Sequence, residues 1–269
     1  MLSAITGLLG CPVRTEGGHA GTVKDYLFDD QNWRIRWMVV DTSAWLPGRK
    51  ILIHPSVIEP LVSQPPWSGG FGMGLNVDTL VVSVALTQDE IKASPDASED
   101  QPVTQQMEDR LYDYYGWDPI WGATNFGTNA ISSPISAPPM FADARGHGKI
   151  EAETHPGDGD SHLRSVSSVK GYHVEATNGE IGHVENFLID EADWHIRYLV
   201  IATRNWWPGE HVQLAPYAVE AVDWVQKHIA LNVTREQVKS SPEWDPAAAA
   251  SVLGERALHR HYGWPGYGW

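Results

Sequence analysis

The sequence holds one cysteine, Cys11, so no intrachain disulfide can staple the fold, and the expected setting is a reducing, cytoplasmic one. Cations are scarce as well: 19 Lys and Arg face 34 Asp and Glu, a formal charge of −15. Phosphate backbones are bound by clustered cations, so nucleic acid is not an expected partner, and the acidity reads as a solvating surface. No apolar run reaches the roughly 18 residues needed to cross a bilayer, so no integral membrane segment is expected. The Gly-x-Ser-x-Gly elbow, a Cys pair and the His-Glu-x-x-His spacing are all missing, which removes the commonest hydrolase and zinc signals. The glycine series Gly69 to Gly74 lacks the flanking strand, helix and Lys of a phosphate loop. Leu8-Leu9-Gly10-Cys11 has the outline of a lipoprotein cleavage box, but no Lys or Arg precedes it. The stretch recurs at Leu163 to Gly171, with Tyr172 in place of Cys11, and so reads as a structural strand.

What the sequence has is an internal repeat. Shifted by 161 positions, Gly21 to Leu27 falls on Gly182 to Leu188, and Trp33, Ile35, Arg36, Val39, Trp45, Pro47, Gly48 and Pro55 fall on Trp194, Ile196, Arg197, Val200, Trp206, Pro208, Gly209 and Pro216. Beyond an insert at 64–78 the offset becomes 147, so that Thr87, Glu90, Ser94 and Tyr115-Gly116-Trp117 meet Thr234, Gln237, Ser241 and Tyr262-Gly263-Trp264. Two modules result, 1–122 and 163–269, joined by a Gly-, Ser- and Pro-rich linker at 123–162. With 42% hydrophobic residues and 13 Trp, each module can bury a core of its own.

Within each module β-branched and aromatic runs flank the turns Asp29 to Asn32 and Asp190 to Asp193, which predicts hairpins over 23–41 and the matching 184–202. Ile35 and Val39, with Ile196 and Val200, are expected to point inward. Further strands are expected at 50–53, 80–86, 211–214 and 228–233. Thr87 with Glu90 and Thr234 with Gln237 fit capping boxes of short helices. Longer helices are expected at 104–115 and 246–262, stopped by Gly116 and Gly263.

This order of strand, Gly-x-Val hairpin with an acidic turn, Ile-Arg-Trp-Met-Val-Val or Ile-Arg-Tyr-Leu-Val-Ile, and a closing strand before Pro-x-x-Val-Ile or Pro-x-x-Ala-Val resembles the PRC-barrel. That domain is shared by the photosynthetic reaction centre H subunit and the ribosome maturation factor. The resemblance implies a mainly β fold, two small barrels in tandem with short C-terminal helices, related by a pseudo-two-fold. It also implies a docking module for proteins, with no catalytic residues to carry over and no cofactor. An accessory role on a membrane electron-transport complex follows from the same resemblance. The remaining alternative is an enzyme with a pocket between the modules.

Aromatics beside turns are the interface candidates: Trp45 with Pro47, and Trp206 with Trp207 and Pro208. Trp33 and Trp194 are read first as core or inter-module contacts. Each module ends in an aromatic tail, Tyr115, Trp117 and Trp121 in the first and Tyr262, Trp264 and Trp269 in the second. These tails are too apolar to hang in water, so each is expected to latch onto the opposite module or a second subunit. His259 and His261 lie about 200° apart on a helix and make no metal pair. His183 with His195 is no stronger, and Asp29, Asp30, Asp190, Glu191 and Asp193 read as turn chemistry rather than a calcium site.

Overall fold

The structure is a computed structural model that describes residues 2–46, 49–63, 80–95, 103, 105–117, 162–203, 211–242 and 252–268. The first half runs β1 (Leu2–Ala4), α1 (Ile5–Leu8), β2 (Pro12–Thr15), β3 (Gly18–Asp29), β4 (Arg34–Asp41), β5 (Lys50–Ile53), β6 (Val62–Ser63), β7 (Leu80–Ser83), α2 (Gln88–Ala93) and α3 (Gln105–Tyr115). The second half repeats that series as β8 (Leu163–Ser165), α4 (Val166–Val169), β9 (His173–Ala176), β10 (Gly179–Asp190), β11 (Ile196–Ala202), β12 (His211–Leu214), β13 (Val219–Asp223), β14 (His228–Leu231), α5 (Arg235–Lys239) and α6 (Val252–Tyr262). The fold is mainly β, in two sheets. Six strands of the first half follow the order β5-β4-β3-β2-β7-β6, and the second half repeats it as β12-β11-β10-β9-β14-β13.

Bulges bend both sheets at equivalent places. Ala20 and Lys24 are extra residues in β3, as Ile181 and Glu185 are in β10, and Arg36 and Arg197 are extra in β4 and β11. Each bulge adds local twist and shifts the side-chain alternation by one. The last pair corrects one expectation. Ile35 and Ile196 enter the main core, but Val39 and Val200 emerge on the opposite face, beneath α3 and α6, because the bulge flips the alternation between them. The stretch around Leu8 is corrected too: it closes a one-turn helix, α1, repeated as α4, and is not a strand.

The seventh strand of each sheet comes from the other half. β1 pairs with β10 through Leu2–Asp190, Ser3–Ile189 and Ala4–Leu188, and β8 pairs with β3 through Leu163–Asp29, Arg164–Phe28 and Ser165–Leu27. The two registers are identical under the offset of 161. The one-turn helices that follow are capped across the same boundary: Thr6 N–H donates to Asn186 Oδ1 at 3.2 Å, and Ser167 N–H donates to Asp25 Oδ1 at 3.1 Å. The halves are therefore joined by reciprocal strand exchange, which the sequence boundaries did not foresee.

At the centre the two hairpin tips meet. Ile35 N–H donates to Trp194 O at 2.8 Å and Ile196 N–H to Trp33 O at 2.7 Å, while Arg34 and His195 bridge directly. Trp33 and Trp194 are held at φ of +56° and +58°, a left-handed conformation that bulky residues rarely adopt. Both are buried, with Trp194 stacked on Tyr26 at 6.0 Å and Trp33 on Phe28 at 5.5 Å. Phe28 also meets Phe187 at 6.1 Å, so one apolar core runs through both halves. The strain at the two Trp residues, typically about 1–3 kcal/mol each, is offset by this burial and by the paired backbone bonds.

Candidate functional site

The functional candidates gather on the outer face of each sheet, where a C-terminal helix lies across it. The capping boxes form as expected, Glu90 N–H donating to Thr87 Oγ1 and Gln237 N–H to Thr234 Oγ1, each at 3.2 Å. Gly116 and Gly263 then stop the longer helices at φ of +64° and +72°. This geometry turns Trp117 and Trp264 back onto the sheet, where they stack on Tyr115 and Tyr262 at 4.1 and 4.2 Å.

Under α3, Trp37 is fully buried with Leu52 and Leu111, and its ring meets Tyr112 at 5.5 Å and Trp117 at 6.1 Å. Its indole N–H donates to the buried Glu108 carboxylate, which Arg36 also engages while reaching Asp29 at 3.6 Å. A carboxylate so deep is tolerable only with such partners. His54 completes the cluster, 1% exposed, with ring centroids 5.6 Å from Trp117 and 5.9 Å from Tyr112. Its Nδ1 accepts from Ser56 N–H at 3.2 Å and lies 2.8 Å from Ser56 Oγ, so in the neutral ring the proton sits on Nε2. Burial, followed by the Arg34 and Arg36 charges, pulls the pKa of His54 down to about 4. So weak a base is poorly suited to activate the Ser56 hydroxyl at neutral pH, and the contact is the cap of the 3₁₀ turn Pro55–Val57.

Under α6 the same space is filled by exchanged side chains. Tyr198 stands for Trp37, Glu255 for Glu108 and Leu258 for Leu111, whereas Ala215 replaces His54 and His259 replaces Tyr112. An imidazole therefore recurs in space although it does not recur in sequence: in one half the strand side supplies it, in the other the helix. His259 meets Tyr198, Trp264 and Tyr267 at 5.8, 5.8 and 4.8 Å. Its Nδ1 lies 2.5 Å from the Pro265 carbonyl oxygen and its Nε2 2.8 Å from the Tyr198 hydroxyl. Burial again lowers its pKa. Arg197 pairs with Asp193 at 2.6 Å and Asp190 at 3.2 Å, and lies over the Tyr267 ring at 4.4 Å.

The sequence-derived candidates divide as follows. Tyr115, Trp117, Tyr262 and Trp264 are half-buried against the helix-covered face of their own half, where Gly116 and Gly263 turn the chain back, so for these four residues the latch onto the opposite half is corrected. Trp45 is half-buried, its indole N–H donating to Ala20 O at 2.8 Å and its ring 5.7 Å from the Lys92 ammonium. Pro47, Trp121, Trp206, Trp207, Pro208 and Trp269 lie outside the described residues, as do the insert at 64–78 and nearly all of the linker. Asp29, Asp190 and Asp193 accept backbone N–H bonds within their own turns, from Gln31, Ala192 and His195 at 2.8, 3.1 and 3.1 Å. Glu108, Trp37 and Tyr198 were not singled out by sequence reasoning. Aligning the two halves sets His54 on Ala215, and carrying the same alignment to Tyr112 on His259 would have shown the exchange.

The fold and these clusters define a duplicated, mainly β protein with aromatic helix–sheet seals. Residues 162–238 match the PRC-barrel domain family model, a match that takes in the β portion of the second half. Among curated proteins no relative matches the chain. No helix among the described residues is long and apolar enough to cross a membrane.

One pH effect follows. Because the folded-state pKa of His54 lies below that of a free imidazole, its stabilising contribution is complete above pH 6.5 and is lost as pH falls toward 4. The shift corresponds to about 3 kcal/mol. Urea denaturation of the native chain and of His54→Ala, which installs the residue found at position 215, should show their stability difference narrowing by about that amount between pH 7.5 and pH 4. A difference constant with pH would contradict the assignment.

Proposed function

We propose that this chain is a protein-docking scaffold without catalysis, built from two PRC-type barrels fused into one pseudo-two-fold unit. The extension from residues 162–238 to the first half is supported by its identical strand order and equivalent bulges. The observation that carries the reading is the engagement of the reactive side chains with one another. His54 and His259 are each walled in by aromatic rings with lowered pKa values, and Glu108 and Arg197 are tied into ion pairs. Such groups seal a helix onto a sheet and leave the outer turns to meet a partner. Trp45 with Pro47, and Trp206 with Trp207 and Pro208, are the proposed contact points, since aromatic anchors dominate interface energetics.

The test is paired capture. Tagged native chain and a Trp45→Ser, Trp206→Ser, Trp207→Ser variant, both shown folded by circular dichroism, are used on extracts of the source cell. One or more proteins held by the native chain at fixed stoichiometry and lost by the variant are expected. Identical capture by both would remove the turns as contact points, and substrate turnover by the purified chain would overturn the non-catalytic reading.

A further inference from the structure

The strand exchange has the symmetry of a dimer interface. Each half offers the other an initial strand, a one-turn helix to be capped, a carboxylate or amide to cap it, and a hairpin tip with a free N–H and C=O at Ile35 and Trp33 or Ile196 and Trp194. A surface on which equivalent groups bind one another is isologous, as in two-fold homodimers. Within this chain the two-fold passes beside Arg34 and His195, which are equivalent positions bridged to each other.

We propose that the half-to-half surface is an interaction site for a second copy of this chain, in which residues 1–117 of one copy pair with residues 162–269 of the other and the reverse. The pairing is of unlike halves. Arg34 Nε–H donates to Asp193 O at 3.0 Å and is partly buried, its pKa pulled down to about 10 mainly by burial. Two first halves would set Arg34 against Arg34 at the same buried point. Unlike halves also gain pairs of opposite character: Asp30 meets Arg164 at 2.8 Å and His162 at 3.0 Å, and Asp25 accepts from the hydroxyls of Ser165 and Ser167. Two first halves would place Ser3 and Ala4, the equivalents of Arg164 and Ser165, at these acids.

The single chain closes on itself easily. Trp117 and Leu163, on either side of residues 118–161, pack on the same cluster of Trp37, Leu52 and Leu111, so the joined ends start near each other. Such a tether gives an effective concentration of about millimolar, and exchange between copies competes only when protein refolds near that concentration. The inference rests on the strand exchange alone and stands apart from the docking reading.

Charge reversal across the seam tests it. Asp30→Arg puts two cations together within its own chain, and Arg164→Asp puts two acids together within its own. In an exchanged pair of these variants, one seam carries both substitutions and the other carries neither, so opposite charges face each other at both. The two variants and the native chain are unfolded in denaturant and refolded at about 1 mM and about 1 μM, singly and mixed, then analysed by light scattering on a sizing column. The mixture at the higher concentration is expected to give several-fold more species at twice 29.8 kDa than either variant alone, with equal amounts of each chain by mass spectrometry. No enrichment of the mixed species, with circular dichroism regained, would overturn the proposal. Should the reversals prevent refolding, two native chains with different tags are refolded together at about 1 mM. Co-elution of the tags at twice the chain mass supports the proposal, and their separation overturns it.

Discussion

Replacing Gly182 by Ala is expected to cost about 4 kcal/mol, with Gly21→Ala close behind, values in the exceptional range for single substitutions. Both glycines open the Gly-x-Val signature, at φ of +154° and +146°, where a residue with a side chain is strained whatever the space. Space is missing as well. A Cβ at Gly182 would stand 1.9 Å from Ala202 O, and one at Gly21 would stand 2.2 Å from Asp41 O, backbone atoms at the base of the central hairpin that cannot swing aside. These positions lie beside the bulges at Ile181 and Ala20, so the close approach is where β10 and β3 bend. Thermal unfolding should show melting temperatures roughly 8–16 °C lower, as expected for a protein of this size. Gly116→Ala and Gly263→Ala serve as controls: a Cβ there meets nothing within 4 Å, so only the positive φ opposes it and the loss should be about 1–2 kcal/mol. Equal losses at all four positions would mean that the hairpin contact is not the cause.

Trp37→Ala is expected to remove about 3–5 kcal/mol, the usual cost of emptying a buried aromatic site. Trp37 is fully buried, and its loss does more than leave a cavity. Glu108 would keep Arg36 but lose the indole N–H, and α3 would lose the ring on which Tyr112 and Trp117 rest. Trp37→Tyr, the residue at the equivalent position 198, should recover much of the loss, since Tyr198 places its hydroxyl 3.1 Å from Glu255 in the other half. The check is a denaturant titration followed by far-ultraviolet circular dichroism. A loss below about 1 kcal/mol for Trp37→Ala, typical of a surface change, would show that α3 does not depend on this seal.

How much of this was legible depends on how local the signal is. The hairpins, both capping boxes and the glycine stops could be read because each rests on residues within a few positions of one another, such as Thr87 with Glu90 or Gly116 after Tyr115. The duplication was legible for the same reason, since spacing survives even where side chains change. The partner of β1 was not. Leu2–Ala4 and Leu163–Ser165 have the composition of ordinary edge strands, and whether such a strand joins its own sheet or its neighbour's is decided by contacts more than 130 positions away, including Asp25 with Ser167 and Thr6 with Asn186. The bulges at Arg36 and Arg197 were hidden likewise, because an alternating pattern shows no extra residue until the facing strand is known. The shared place of His54 and His259 was hidden because the repeat keeps the ring-filled space and not the residue that fills it.

The central claim, that two equivalent halves are completed by each other's first strand, is tested most directly by cutting the chain between them. A specific protease site is inserted between residues 118 and 161 of the full chain, the folded protein is cleaved to completion, and its mass is measured under native conditions. The account predicts that the two fragments remain together as one particle of about the uncut mass, with one cooperative unfolding transition, and separate only in denaturant. Two independent particles, each retaining its β spectrum after the cut, would contradict it.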